Sequence, residues 1–328
     1  MKKFNLVLCV LLVLILAFSL LSVSCAKQKV YKIGITQIVT HPALDALRDG
    51  FKESLAAEGY EVGKNVEYIE QNAEGDMATN STIAQTLISQ KVNMILGIST
   101  PSTMAVVEAA KGTDTVILFG AVTDPVAAGI IENTEKPGGN ITGINDMGPV
   151  DKHVDLIKEF MPDVKNIGTV YNAGEPNSVV QINLLKDKAS SVGINVVEAT
   201  VSTTADVQAA TESLVGKVDA IYIVTDNTAV AAFDAIIGIC ETNKIPLFAA
   251  DPSSVETGAI ASIGPSYKGM GEDLGKIAAR IFKGEKPGDI PSTGGSIYET
   301  VVNPKAAERM GISVPQAVLD RADKVVGE

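Results

Sequence analysis

Ser99-Thr-Pro101 follows an apolar run, and small hydroxyl residues before a proline mark a helix N-terminus. The free N–H groups and positive dipole end of such a helix favour an anion such as a carboxylate, although a Thr100 that merely caps its own helix accounts for the same residues. Asp124 and Asp251, each followed by proline, and the pair Asp226-Asn227 supply the opposite chemistry. A buried carboxylate needs a positive partner, and a ligand ammonium would serve. Each of these residues could equally start a turn, and that plainer role weighs more on Asp251 than on Asp124. Asn172, Glu175 and Asn177 sit between a strand and a helix as caps or ligand contacts. His41 and His153 are the two histidines, too few for a multi-histidine metal site, and His153 reads as a surface residue of a helix. There is no Walker A sequence, no Gly-x-Gly-x-x-Gly after a strand and no Gly-x-Ser-x-Gly elbow; Gly269-Met-Gly271 lacks the third glycine. No catalytic residue, metal site or cofactor site is expected. The strand-end segments hold no arginine, which weakens a phosphate or dicarboxylate ligand.

These residues gain meaning from the elements that must position them. Short apolar runs at Lys32–Thr36, Asn65–Gln71, Met94–Ile98, Thr115–Phe119 and Gly143–Ile144 predict strands, and so do Asn166–Tyr171, Asn195–Ala199, Ala220–Val224 and Leu247–Ala249. Amphipathic stretches between them predict helices, among them Pro42–Glu58 and Ala229–Asn243. The pattern is written twice: Gly34 and Gly59 recur at the same spacing as Gly168 and Gly193, and each copy ends on Asp-Pro. Strand alternating with helix means a parallel sheet, so the expected fold is α/β with two doubly wound lobes, over residues 30–145 and 146–264. Residues 265–328 are expected to cross back and complete both lobes, with Gly284–Gly295 as a surface connection. Ligands of open parallel sheets bind beyond the carboxyl ends of the strands, where the polar residues above lie.

The composition narrows the class. At 328 residues and 46% hydrophobic the chain is long and apolar enough for two cores. A net charge of −12 argues against a nucleic-acid partner. Lys2 and Lys3, the apolar run Leu6–Leu21 and Ser22-Val-Ser-Cys25 make an export signal over residues 1–24, with an uncleaved membrane anchor as the alternative. Cys25 stands where a lipoprotein carries its acylated cysteine, although Ser22 replaces the usual leucine of the lipobox and ordinary cleavage after Ser24 stays open. With Cys9 in the leader and Cys240 in an apolar helix pattern, the three cysteines form no disulfide framework.

Ile35-Thr-Gln-Ile-Val-Thr-His-Pro-Ala-Leu-Asp45, Thr123-Asp-Pro125 and Pro137-Gly-Gly-Asn-Ile-Thr-Gly143 resemble the ABC transporter substrate-binding proteins that include tryptophan and tyrosine binders. Tyr171-Asn172, Asn177-Ser178, Thr225-Asp-Asn-Thr228 and Val301-Val-Asn-Pro-Lys305 extend the resemblance over nearly the whole mature chain. It implies a type I periplasmic-binding-protein-like fold, two lobes on a hinge with three crossings, and delivery of a small solute to an ABC permease. It also implies ligand contacts near Gln37, Ser99, Thr100, Asp124, Asn145, Asn172, Asn177, Asp226, Asn227 and Asp251. A zwitterion agrees with the residues themselves: its carboxylate at Ser99 and Thr100, its ammonium at Asp124, Asp226 or Asp251, with Asp124 the firmer contact, and an apolar or aromatic side chain against Ile38 or Tyr171. An amino acid is the expected ligand and a sugar or nucleoside-like solute its rival. A membrane-tethered sensor would use the same site, and a secreted hydrolase is the enzyme alternative. The expected protein is an exported, membrane-anchored monomer.

Overall fold

Near-continuous apolar runs such as Met94–Ile98, buried along its whole length, are what a strand covered on both faces requires. A computed structural model describes residues 29–327. Its first sheet is built from β1 (Tyr31–Gln37), β2 (Val66–Asn72), β3 (Met94–Ile98), β4 (Val116–Gly120) and β5 (Ile141–Asn145), alternating with α1 (Pro42–Ala57), α2 (Met77–Ser89) and α3 (Thr100–Ala109). The strand order is β2-β1-β3-β4-β5, all parallel. A second sheet repeats it. β6 (Asn166–Asn172), β7 (Asn195–Val201), β8 (Ala220–Ile223) and β9 (Leu247–Ala249) lie in the order β7-β6-β8-β9, again parallel. Around them run α4 (Val150–Phe160), α5 (Pro176–Ser191), α6 (Val207–Glu212), α7 (Asn227–Val230) and α8 (Phe233–Asn243). In both sheets the strand order reverses beside the first strand of the copy, which opens a crevice at the carboxyl ends.

The remaining chain ties the lobes together. After α9 (Pro252–Thr257) and β10 (Ala261–Pro265), the long α10 (Tyr267–Phe282) returns to pack on α1. Glycines allow that approach: a Cβ on Gly271 would stand 2.0 Å from the Leu47 carbonyl oxygen, and one on Gly50 2.5 Å from that of Lys268. β11 (Thr293–Gly294) then adds an edge to β5, so the segment expected as plain surface loop also contributes a pair of strand residues. β12 (Tyr298–Val302) pairs antiparallel with β10, and after α11 (Pro304–Arg309) and α12 (Gln316–Leu319) the short β13 (Lys324–Val325) joins β12. The chain therefore passes between the sheets three times, after Asn145, after Pro265 and after Gly294. Each lobe has its own core, with Leu47, Phe51 and Leu274 in one and Leu185, Tyr222 and Ile236 in the other.

Two other expectations change. The stretch read as one helix over Ala229–Asn243 is two, because Asp226 caps a helix that starts at Asn227 and ends at Val230. His153 is buried, not on the surface: the Tyr222 hydroxyl lies 2.8 Å from its Nδ1, and its Nε2 lies 2.6 Å from the Ile263 carbonyl oxygen. Burial pulls its pKa down to about 4. Cys240 is a buried core thiol, pushed up to about 12 by burial. Among the described residues no helix is long and apolar enough to cross a membrane. The expected signal of residues 1–24, Cys9 and the lipidation expected at Cys25 lie outside the described residues.

Candidate functional site

The loops after β1, β3 and β4 meet those after β6, β8 and β9 around a cavity of about 30 Å³, room for about two water-sized groups. Beside it, sharing Asn227, lies a wider cleft of about 570 Å³ lined in part by Ile38, Val39, Pro101 and Met104. A polar head therefore fits the small cavity and an apolar body fits the cleft.

The first lobe supplies hydroxyls and a helix end. Ser99 occupies the N-cap position of α3 at φ 85°, a left-handed conformation unfavourable for a residue with a Cβ, and makes no side-chain capping bond. Ala121, which also lines the cavity, has φ 54°. Backbone strain at two lining positions fits a loop held open for a ligand. The hydroxyls of Ser99 and Thr100 are buried, and neither has a hydrogen-bond partner among the described residues. Thr100 does not cap its own helix, the plainer role considered for it; it is the first helical residue and Ser99 precedes it.

The second lobe supplies carboxylates at helix ends. Asp226 caps α7 and is held by its own lobe: it accepts the Asn172 N–H (2.7 Å), the Ser178 hydroxyl (2.6 Å) and the Ala229 N–H (2.7 Å). Glu175 accepts the N–H groups of Asn227 (3.1 Å) and Thr228 (3.0 Å), the Thr228 hydroxyl (2.8 Å) and the side-chain amides of Asn227 (2.5 Å) and Asn177 (3.2 Å). Burial, and secondly the charge of Glu175, raise the pKa of Asp226 to about 7. Asn177 Oδ1 is buried and unpartnered among the described residues.

Two further carboxylates are less satisfied. Asp251 caps α9 through the Ser254 N–H (2.9 Å) and accepts the Ser254 hydroxyl. Asp146, on the first crossing, accepts the Thr123 hydroxyl (3.0 Å) and the hydroxyl of Tyr267, which follows the second crossing (2.7 Å). Burial raises the pKa of Asp146, and Asp251 adds to the rise. Thr123 spends its proton on Asp146, so the Thr225 hydroxyl, 3.3 Å away in the other lobe, donates to Thr123, and Gln181 Nε2 donates in turn to Thr225. One donor chain thus runs across the interlobe gap and ends on a hinge carboxylate. Among the described residues no lysine or arginine lines this cavity.

The structure brings Ser99, Thr100, Asn177, Asp226, Asn227 and Asp251 together around the cavity. Three other residues expected near the ligand line neither space, and a fourth lines the wider cleft. Gln37 is buried behind the site, its Nε2 donating to the Val39 carbonyl (2.7 Å) and to Asp45 (3.0 Å). Asp124, expected as the firmer contact, is half-buried and accepts the N–H groups of Val126 (3.1 Å) and Ala127 (2.9 Å) as a turn cap. Asn145 is held in the sheet edge, its carbonyl accepting from Gly295 (3.2 Å), and the next residue, Asp146, is the one that reaches the cavity. Asn172 lines the wider cleft and donates to Thr228. Of the two side chains expected against an apolar group, Ile38 lines the cleft, whereas the Tyr171 hydroxyl donates to Glu198 (2.7 Å) and lines neither space. Asp146, Thr123, His41 and Tyr267 complete the cavity. The available signal for Asp146 was its place one residue past a strand end.

A sequence model of the family described as ABC transporter substrate binding protein matches residues 32–326. The chain is 41% identical over 277 residues to the tyrosine-binding protein of Clostridioides difficile strain R20291, across 84% of this chain and 79% of that one. A solved structure from Streptococcus pneumonia in complex with L-Trp aligns with TM-score 0.87 at 34% identity, over 91% of this chain and 100% of the other. A ligand-free, open structure of a substrate binding protein from Clostridium difficile aligns with TM-score 0.67 at 41% identity, over 90% of this chain and 99% of the other. The less identical chain is the better superposed, which is the signature of lobe position rather than divergence. Together with the Thr123–Thr225 contact it places these lobes in the closed arrangement.

Proposed function

The chain belongs to the ABC transporter substrate-binding proteins, and from that premise we propose that it binds an amino acid with an aromatic or apolar side chain between its lobes and hands it to a membrane permease. The observation that carries the ligand class is the pair Asp146 and Asp251, buried carboxylates that have, among the described residues, unused acceptor positions and no cation beside them, in one cavity with the hydroxyls of Ser99 and Thr100, which have no partner among those residues. An ammonium answers the first and a carboxylate the second, at the positive end of α3. The side chain would lie in the wider cleft against Ile38, Pro101 and Met104. The relatives named for tyrosine and solved with L-Trp support an aromatic side chain. Ligand bridging both lobes favours the closed form, and the permease reads that form. The lobes would work outside the cytoplasm, exported by the leader and tethered through a lipid on Cys25.

Isothermal titration of the ligand-free protein with the twenty amino acids tests this. Saturable heat with tyrosine, tryptophan or another apolar member is expected. No heat with any of them overturns the amino-acid reading.

A further inference from the structure

We propose that the cavity recognises its ligand chiefly by the ammonium group, so that it accepts primary amines whose carboxylate is masked and rejects N-acylated amino acids. This rests on the amino-acid reading above and goes further, ranking the two ends of the ligand.

The argument is an account of open hydrogen-bond positions. An ionised carboxylate offers about four acceptor positions. Glu175 receives five donors and Asp226 three of about four, all from their own lobe, so these two serve chiefly to build the wall. Asp146 receives two donors and Asp251 two, which leaves each with acceptor positions open among the described residues. Asn177 Oδ1 adds a buried neutral acceptor without a donor among the described residues. The carboxylates of the small cavity are thus short of donors, and a primary ammonium brings three with a positive charge.

The opposite wall asks for less. Ser99 and Thr100 present neutral hydroxyls, and His41 is a third neutral donor, because its Nδ1 accepts the Ala43 N–H (3.3 Å) and its proton is on Nε2. Neutral hydroxyls can be satisfied by an amide carbonyl as well as by a carboxylate. Charge-assisted bonds to Asp146 and Asp251 are about twice as strong as neutral ones, and a cation relieves two buried like charges while both stay ionised. Masking the carboxylate therefore removes a modest contribution. Acylating the nitrogen removes the charge that the carboxylates require and puts bulk into a cavity of about 30 Å³.

The test titrates the full chain with tyrosine, tryptophan and leucine, each as the free amino acid, the primary amide and the N-acetyl acid. For whichever side chain binds, the amide is expected to stay within about 30-fold of the free amino acid, and the N-acetyl acid to lose about 1,000-fold or more. If the amino acid binds and the amide falls as far as the N-acetyl acid, the ammonium ranking is wrong while the amino-acid reading stands. If amides bind and free amino acids do not, the amino-acid reading fails and the ranking stands. Silence from all nine compounds overturns the ranking, and silence from all twenty free amino acids overturns the amino-acid reading as well.

Discussion

Asp124 and Asp251 end the two copies of one repeated pattern with the same Asp-Pro pair, yet they do different work. Asp124 caps an exposed turn, whereas Asp251 is buried, caps α9 and faces the cavity. The cause is chain length past the strand. β9 ends at Ala249, two residues before its aspartate, while β4 ends at Gly120, four residues before Asp124. The longer link, turned at Ala121 (φ 54°), leaves Thr123 at the cavity and Asp124 off it. In the first half of the chain Asp146 supplies the cavity carboxylate, from the crossing between the lobes. Repetition thus preserved a backbone motif, and burial decided which copy serves the ligand.

The strongest way to break this contrast is to neutralise each carboxylate. Asp251→Asn and Asp146→Asn are expected to weaken amino-acid binding by about 100-fold or more, while Asp124→Asn leaves it within about 2-fold, measured by isothermal titration. Equal losses at Asp124 and Asp251 would erase the distinction.

The next effect concerns stability near Asp251, whose charge acts on His153. His153 stays neutral in the fold down to about 4 but would take up a proton near 6.5 when unfolded. Its contribution is complete above 6.5 and drains away as the pH falls through 4, worth about 3 kcal/mol at the limit. Chemical denaturation at pH 7 and pH 4 should show a smaller drop for His153→Gln than for the wild type. An identical drop in both would remove His153 from the account.

A smaller change tests the donor chain between the lobes. Thr225→Val deletes the hydroxyl that reaches Thr123 and should weaken binding about 3- to 10-fold, while small-angle scattering shows a larger radius for the ligand-free protein. Unchanged affinity and radius would make the contact incidental.

Part of this site was readable in advance. Ser99 and Thr100 stood out because two hydroxyl residues and a proline at a strand end mark a helix N-terminus, and Asp226-Asn227 because they come shortly after β8. Asp146 and Tyr267 did not, because their role arises where two crossings of the chain touch, and each looks ordinary in its own segment. His153 was misread for a similar reason. Its partners Tyr222 and Ile263 come from other strands, and a histidine within a helix gives no sign of them. Gly271, read as an incomplete phosphate motif, is where α10 meets α1 backbone to backbone.

The order of apolar runs and amphipathic stretches determined by itself that two parallel sheets would form, with polar residues beyond their strand ends, because periodicity is a local property. Which of those residues share a cavity was decided by the closure of the lobes and the path of the crossings. The chemistry of a buried carboxylate depends on how many donors reach it and from where, and for Asp146 those donors come from Thr123 and Tyr267, far apart in the chain.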